Sequence, residues 1–275
     1  MKTIVVPIDF SPVSVNAAYY ALDFALAIKG NLALVHVYQY PVTFSEVPVS
    51  AEIITQLKKD AVKKIQDLKE NLVYRAEGAV NIYAEVKEGI VIKKIEDYCS
   101  FIQPYAVIMG ATGKSNMERV FFGSNVLSAI QHLSWPLMIV PPDAKFTTIS
   151  NVGLACDLRD VTESVHVDMI KSIVKAFRAR LHLLHVNTEL GITLGTSERE
   201  EFDRLREMLN EIKPVFHFIS GVNIEEEVNQ FSVKQKLDLL VVVPKKHSLL
   251  DRMIHKSTSS QMALHAQVPV MSIHE

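Results

Sequence analysis

The sequence predicts a tandem pair of α/β domains, each a parallel sheet covered by helices on both faces. Two observations lead there. The chain repeats itself once: "TIVVPIDFSPVSVNAAYYALDFALAIKGNLALVHV" from Thr3 is answered by "NVGLACDLRDVTESVHVDMIKSIVKAFRARLHLLHV" from Asn151. In both, an apolar run ends in Asp, a polar turn leads into an amphipathic helix, and a second apolar run ends in His-Val. Asp9 therefore matches Asp157, and His36-Val37 matches His185-Val186. The ends of the halves match as well, "WPLMIVPP" from Trp135 against "VPVMSIHE" from Val268. The second observation is that short β-branched runs alternate with helical periods, the pattern of parallel strands joined by right-handed crossovers. The copies meet in Pro141–Ser150, and a cut near Ala144 gives domains 1–144 and 145–275. At roughly 100–200 residues per domain, 275 residues suit two.

Each element has a local reason. Ile4–Ile8 is a continuous apolar run of the kind buried on both faces of a parallel sheet. Ser11 is a good N-cap, Pro12 fits the first helical turn, and Ala18, Leu22, Ala25 and Leu26 form the helix's apolar face. Gly30 is expected to stop that helix. In the second copy Asp160 and Glu163 resemble a capping box, with Ile170, Ile173, Val174 and Phe177 as the stripe. Further strands are expected at Leu32–Val37, Asn81–Val86, Ala106–Met109 and Leu137–Val140. Their second-half counterparts are Leu181–Val186, Val215–Ile219, Leu239–Val243 and Val270–Ile273. Charged helices, Ala51–Leu72 and Glu198–Ile212, precede the third strand of each half.

Composition narrows the function. Lys+Arg 29 against Asp+Glu 31 leaves no basic footprint for nucleic acid. Two cysteines without paired spacing argue against a disulfide framework and for a reducing compartment. The N-terminal apolar run is too short for a signal-peptide core or a membrane span, so a cytoplasmic protein without membrane contact is expected. The 10 histidines include no HExxH or tight Cys/His cluster, so no metal site is expected. His36 and His185, at equivalent strand ends, are read as structural.

In an open parallel sheet, ligands bind beyond the carboxyl ends of the strands, where the strand order reverses. Asp9 ends the first strand there, and "GATG" ends the fourth. Gly113-Lys114-Ser115 looks like the tail of a Walker A loop, but Ile108 stands where that motif needs its first glycine. A different cradle is legible. Gly110 and Gly113 lie where the chain leaves the strand, and Gly123-Ser124 opens a helix whose apolar face is Val126, Leu127, Ile130 and Leu133. Unpaired N–H groups and the positive dipole end there attract an anion, and glycines admit a phosphate close to the backbone. Lys114 and Arg119 lie in the bridge between these points, either beside phosphate or on a solvated loop.

Gly110-x-x-Gly113, nine residues, then Gly123-Ser124 is similar to the G-2x-G-9x-G-[S/T] signature of the universal stress protein family, and "VVPIDFSP" resembles that family's first strand and turn. The resemblance covers the whole chain as a tandem pair. It implies flavodoxin-like (adenine nucleotide alpha hydrolase-like) domains, each a five-stranded parallel sheet of order 3-2-1-4-5. It also implies a bound adenine nucleotide, usually ATP, with ADP or AMP as alternatives and Mg²⁺ as a possible bridge between phosphates. Carried over, Pro7, Ile8 and Val37 line the adenine, Asp9 accepts from the ribose hydroxyls, and Met109 and Gly110 flank the ribose. Gly113, Gly123, Ser124 and Asn125 hold the phosphates, with Asn125 and Val126 giving mainly backbone N–H groups. The resemblance further implies that the two halves pair through their last strands, as a pseudo-dimer in one chain, with a homodimer as a further option.

The second half departs from the signature. Pro244 and His247 occupy the places of the first two glycines, and Ser257-Thr258 replaces Gly-Ser, although Asp157 remains and Lys245, Lys246 and Lys256 are basic. Proline removes a donor and the added Cβ atoms crowd the phosphate path. One nucleotide site, in the first half, is the expectation. The sequence supplies a cradle but no evident Walker B acid, catalytic base or arginine finger, so binding in a stress response without efficient catalysis is the leading reading. A slow ATPase switch and a nucleotide-free interaction scaffold are the alternatives.

Overall fold

The structure is a computed structural model that describes residues 2–39, 51–111, 124–158, 161, 165–187, 195–243 and 268–273. The first half contributes strands β1 (Thr3–Ile8), β2 (Asn31–Tyr38), β3 (Ile82–Glu88), β4 (Ala106–Gly110) and β5 (Leu137–Val140). Its helices are α1 (Pro12–Ile28), α2 (Ala51–Ala76), α3 (Val91–Ile102) and α4 (Ser124–His132). The second half contributes β6 (Asn151–Ala155), β7 (Arg180–Asn187), β8 (Val215–Ser220), β9 (Leu239–Val242) and β10 (Val270–Ser272). Its described helices are α5 (Val167–Phe177), α6 (Thr196–Met208) and α7 (Ile224–Lys234).

All ten strands form one sheet in the order β3-β2-β1-β4-β5-β10-β9-β6-β7-β8. Each half thus has the 3-2-1-4-5 order and is parallel within itself. The halves join through one antiparallel seam, Val270 opposite Ile139, Met271 opposite Met138 and Ser272 opposite Leu137. Every residue of β5 and β10 is buried, so each strand covers an edge that would otherwise expose unpaired N–H and C=O groups. Two apolar clusters lie on the two faces, and each runs through both halves. Ile4, Val6 and Ile8 point into the cluster under α1, α2, α5 and α6. Val5, Val107 and Met109 point into the cluster under α3, α4 and α7.

The local signals account for most element ends. Ser11 caps α1, its Oγ accepting from the Ser14 N–H at 3.2 Å, with Pro12 in the first turn. The stop of α1 corrects the sequence reading. Lys29, not Gly30, takes the left-handed conformation (φ 54°), and the Gly30 N–H reaches back to the Ala25 carbonyl at 2.8 Å. Gly30 is needed for space instead: a Cβ there would sit 2.9 Å from the Lys2 carbonyl oxygen. The Asp160 and Glu163 start lies outside the described residues, and α5 begins at Val167 under His166, which makes no side-chain cap. The stripe Ile170, Ile173 and Val174 is buried as expected, with Phe177 packed against the core. Cys99 and Cys156 are buried thiols outside any disulfide.

The segment between the halves is anchored rather than loose. Phe146 lies edge-on to Tyr20 (5.4 Å between centroids) and Phe24 (6.0 Å), and 6.0 Å from Phe177 of α5. Asn16 of α1 donates to the Ala144 carbonyl at 3.0 Å, and Ile149 is fully buried. Lys2 and Tyr105 both meet the Ser172 hydroxyl of α5, at 3.1 and 3.2 Å. This is why α1 is buried on more than the one face its sequence predicts. Replacing Phe146 by Ala removes its ring contacts with Tyr20 and Phe24 of α1 and with Phe177 of α5 and is expected to destabilise the chain by about 2–3 kcal/mol. Urea unfolding checks it; a loss under about 0.5 kcal/mol would show that the ring carries little of the join.

Candidate functional site

The carboxyl ends of β1, β2 and β4 and the start of α4 meet at the point where strand order reverses in the first half. The β1–β4 hydrogen bonding is interrupted there at Pro7. The β1–β2 ladder runs the full length of β1, from Thr3 opposite Asn31 to Ile8 opposite His36. The β1–β4 ladder stops after two pairs, Ile4 with Ala106 and Val5 with Val107. Proline has no N–H to give, so the hydrogen-bonded ladder between β1 and β4 ends there. In the second half Ala155 holds the place of Pro7, and there the β6–β9 ladder continues through Ala155 opposite Val242. The central ladder ends early in one half and continues in the other.

Asp9 follows directly. Its Oδ1 accepts from the Ser11 N–H at 2.9 Å and the Ser11 hydroxyl at 2.6 Å, a turn that carries the chain from β1 into α1. Burial alone would raise the Asp9 carboxyl, but hydrogen bonds from the Ser11 and Ser14 side chains and the Ser11 amide outweigh it and hold the pKa below the usual carboxylate range. Asp9 is an exposed, ionised acceptor, and a carboxylate with two bonds on one oxygen keeps acceptor capacity on the other.

Two neighbours, neither assigned to the site by the sequence, fix this turn. Phe10 has φ 64°, a left-handed conformation uncommon for a bulky residue, and its ring lies 4.6 Å from that of His36. His36 Nδ1 is 2.7 Å from the Ile8 carbonyl, which only accepts, so Nδ1 carries the hydrogen. The second half repeats the device, with Leu158 at φ 52° and His185 Nδ1 3.1 Å from the Cys156 carbonyl. The structural reading of both histidines is thereby given a mechanism. Their signal was in the sequence, as the repeated His-Val that ends β2 and β7.

The remaining predicted residues divide by face. Strand alternation puts Pro7 on the same face as Val5, and there Val37, Met109 and Val126 pack with the cluster under α3 and α4. Pro7 and Val37 are half-buried, while Met109 and Val126 are buried. Ile8 is on the opposite face, its side chain buried beneath α1, so its backbone is what it presents at the turn. Ser124 and Asn125 are exposed in the first turn of α4, which contains no acidic residue. Gly110 ends β4, and a Cβ there would sit 2.5 Å from the Val13 carbonyl oxygen. Its bare backbone is required by the close approach of α1, a different reason from room for a phosphate. Gly113 and Gly123, with Lys114 and Arg119, lie outside the described residues, as do Pro244, His247 and Ser257-Thr258. Among the described residues no group of three or more His, Cys, Asp or Glu is placed to hold a metal ion, and no helix is long and apolar enough to cross a membrane.

Comparison with known proteins agrees with this frame. The model of the universal stress protein family matches the chain twice, over residues 1–141 and 149–274. The chain belongs to the universal stress protein family. This family member is similar to Universal stress protein MJ0531 of Methanocaldococcus jannaschii, 29% identical over 150 residues, 52% of this chain and 84% of that protein. A universal stress protein from Archaeoglobus fulgidus has the same overall fold, with a TM-score of 0.75 at 15% identity over 99% of this chain and 98% of that one. A putative universal stress protein from Pseudomonas aeruginosa aligns with a TM-score of 0.64 at 12% identity, over 99% and 93%. These likenesses establish the tandem fold.

Gly110→Ala is expected to push α1 away from β4 and destabilise the chain by about 1–3 kcal/mol, because the obstructing atoms are backbone. Thermal unfolding measures it, and an unchanged midpoint would refute the packing role.

Proposed function

We propose that the first half binds an adenine nucleotide, ATP first among the candidates, at the carboxyl ends of β1, β2 and β4. The observation that carries the reading is the break in the β1–β4 ladder at Pro7, two residues before an ionised Asp9. Pro7, Val37 and Met109 offer an apolar floor for a base. Asp9 offers a fixed acceptor for ribose hydroxyls, and the first turn of α4 offers N–H groups and a positive dipole end for phosphate. The glycines of the signature, Gly113 and Gly123, complete the cradle in sequence, and Mg²⁺ would neutralise the phosphates from the solvent side. Binding without efficient turnover suits the same set of groups, because they position and neutralise but include no base aimed at a nucleophile. A stress-response role, which family membership supports, and a cytoplasmic setting belong to this proposal.

The test is differential scanning fluorimetry with ATP and Mg²⁺ on the whole chain and on Asp9→Ala. Ligand at about 100 times Kd stabilises a native state by about 2.7 kcal/mol, a shift of a few degrees. The wild type should show it, and Asp9→Ala should need at least tenfold more ATP for the same shift. An unshifted wild type, or an unaffected Asp9→Ala, would overturn the assignment.

A further inference from the structure

The second half carries a pair of titratable groups with no counterpart in the first. His182 of β7 and His217 of β8 lie side by side under α7, Nδ1 of His182 3.1 Å from Nε2 of His217, their rings stacked at 5.3 Å and 18°. Phe231 of α7 closes over both, edge-on, at 6.3 Å from His182 and 4.7 Å from His217. Their neighbours in that layer, Leu184, Val228 and Leu240, are apolar, and His182 is 4% exposed. Strand register gives Ala33 and Glu85 as the first-half residues at these positions.

The hydrogen-bond pattern fixes where protons can go. Asn151 donates through Nδ2 to the Lys236 carbonyl (3.4 Å), so its Oδ1 accepts from His182 Nε2, also at 3.4 Å. Nδ1 of neutral His182 is then the acceptor, and His217 donates its Nε2–H to it. A first proton can enter at His217 Nδ1 and leave that bond intact. A second must take the lone pair of His182 Nδ1, which breaks the bond and sets two cations face to face. The flanking charges do not help: Arg180 of β7 acts on His182 and Lys234 of α7 acts on His217, both positive. Asp238, beside the Asn151 backbone, is taken by the amides of Ser150 (2.7 Å) and Asn151 (2.8 Å).

We propose that the His182–His217 pair is a proton-operated latch that holds β8 and α7 to the sheet at neutral pH and releases this edge on acidification. β8 is the outermost strand, so this edge can open without breaking the seam between the halves. The inference is independent of nucleotide binding in the first half. Burial holds both imidazoles below their ordinary value, with His217 and Arg180 adding to the effect on His182 and Lys234 to that on His217. The sign follows: above about pH 6.5 both states are neutral and the edge keeps its full stability. As pH falls below that value the opened state takes up protons first, so opening is favoured progressively until the closed pair itself titrates.

Hydrogen exchange on the whole chain between pH 7.5 and 5.0, expressed as protection factors corrected for intrinsic rates, tests the latch. Amides of β8 and α7 should lose protection by up to about tenfold per pH unit for each proton taken up, while those of β3 and α3 hold. In His217→Gln, which keeps an N–H donor but cannot gain charge, the excess loss should fall to the share of one proton, that of His182. Equal loss in both halves, or the same excess in His217→Gln, overturns the proposal. A histidine NMR titration of the wild type stands apart from any variant's folding: His182 titrating at or above pH 6.5 would also overturn it.

Discussion

Three residue pairs across one antiparallel seam, β5 against β10, determine the arrangement of everything else. Each half alone would end in a fully buried apolar strand with an open edge, and such an edge needs a partner. Joining the two edges makes one ten-stranded sheet and brings α1 beside α5. Phe24 then lies 5.5 Å from Phe177, with Phe146 against both, and the chain between the halves becomes core.

The elements themselves were largely legible in the sequence, because apolar runs and helical stripes report burial directly. Leu137–Val140 falls on the expected residues, and other strands differ by one or two at an end. What local pattern does not carry is contact between distant segments. Gly30 reads as a helix stop, yet Lys29 turns the chain and Gly30 yields to the Lys2 carbonyl. Gly110 reads as room for a ligand, yet its missing side chain is first required by Val13. The site was legible as residue types in order, Asp9 and the glycine spacing, but not as geometry. Nothing in a string of letters shows that Ile8 faces away beneath α1, or that Phe10 is held left-handed against His36.

The second half shows which features make the site and which make the fold. It keeps the acid, the left-handed residue after it and the histidine bonded to the preceding carbonyl, so these belong to the turn that both halves need. It lacks the proline that interrupts the central ladder, and its β6–β9 ladder continues through Ala155. By register Val243, not the Pro244 that aligning the halves by sequence suggests, stands where Gly110 stands, so a side chain occupies that place. Freed from the site, the second half has placed histidines in a layer where the first half has Ala33 and Glu85.

The proposal that one half binds a nucleotide and the other does not reduces to a number. Equilibrium dialysis of the whole chain, stripped of small molecules and titrated with ATP and Mg²⁺, measures it most directly. The account predicts saturation at about one nucleotide per chain, abolished by closing the first half's site. Saturation at two per chain, or none at all, would contradict it.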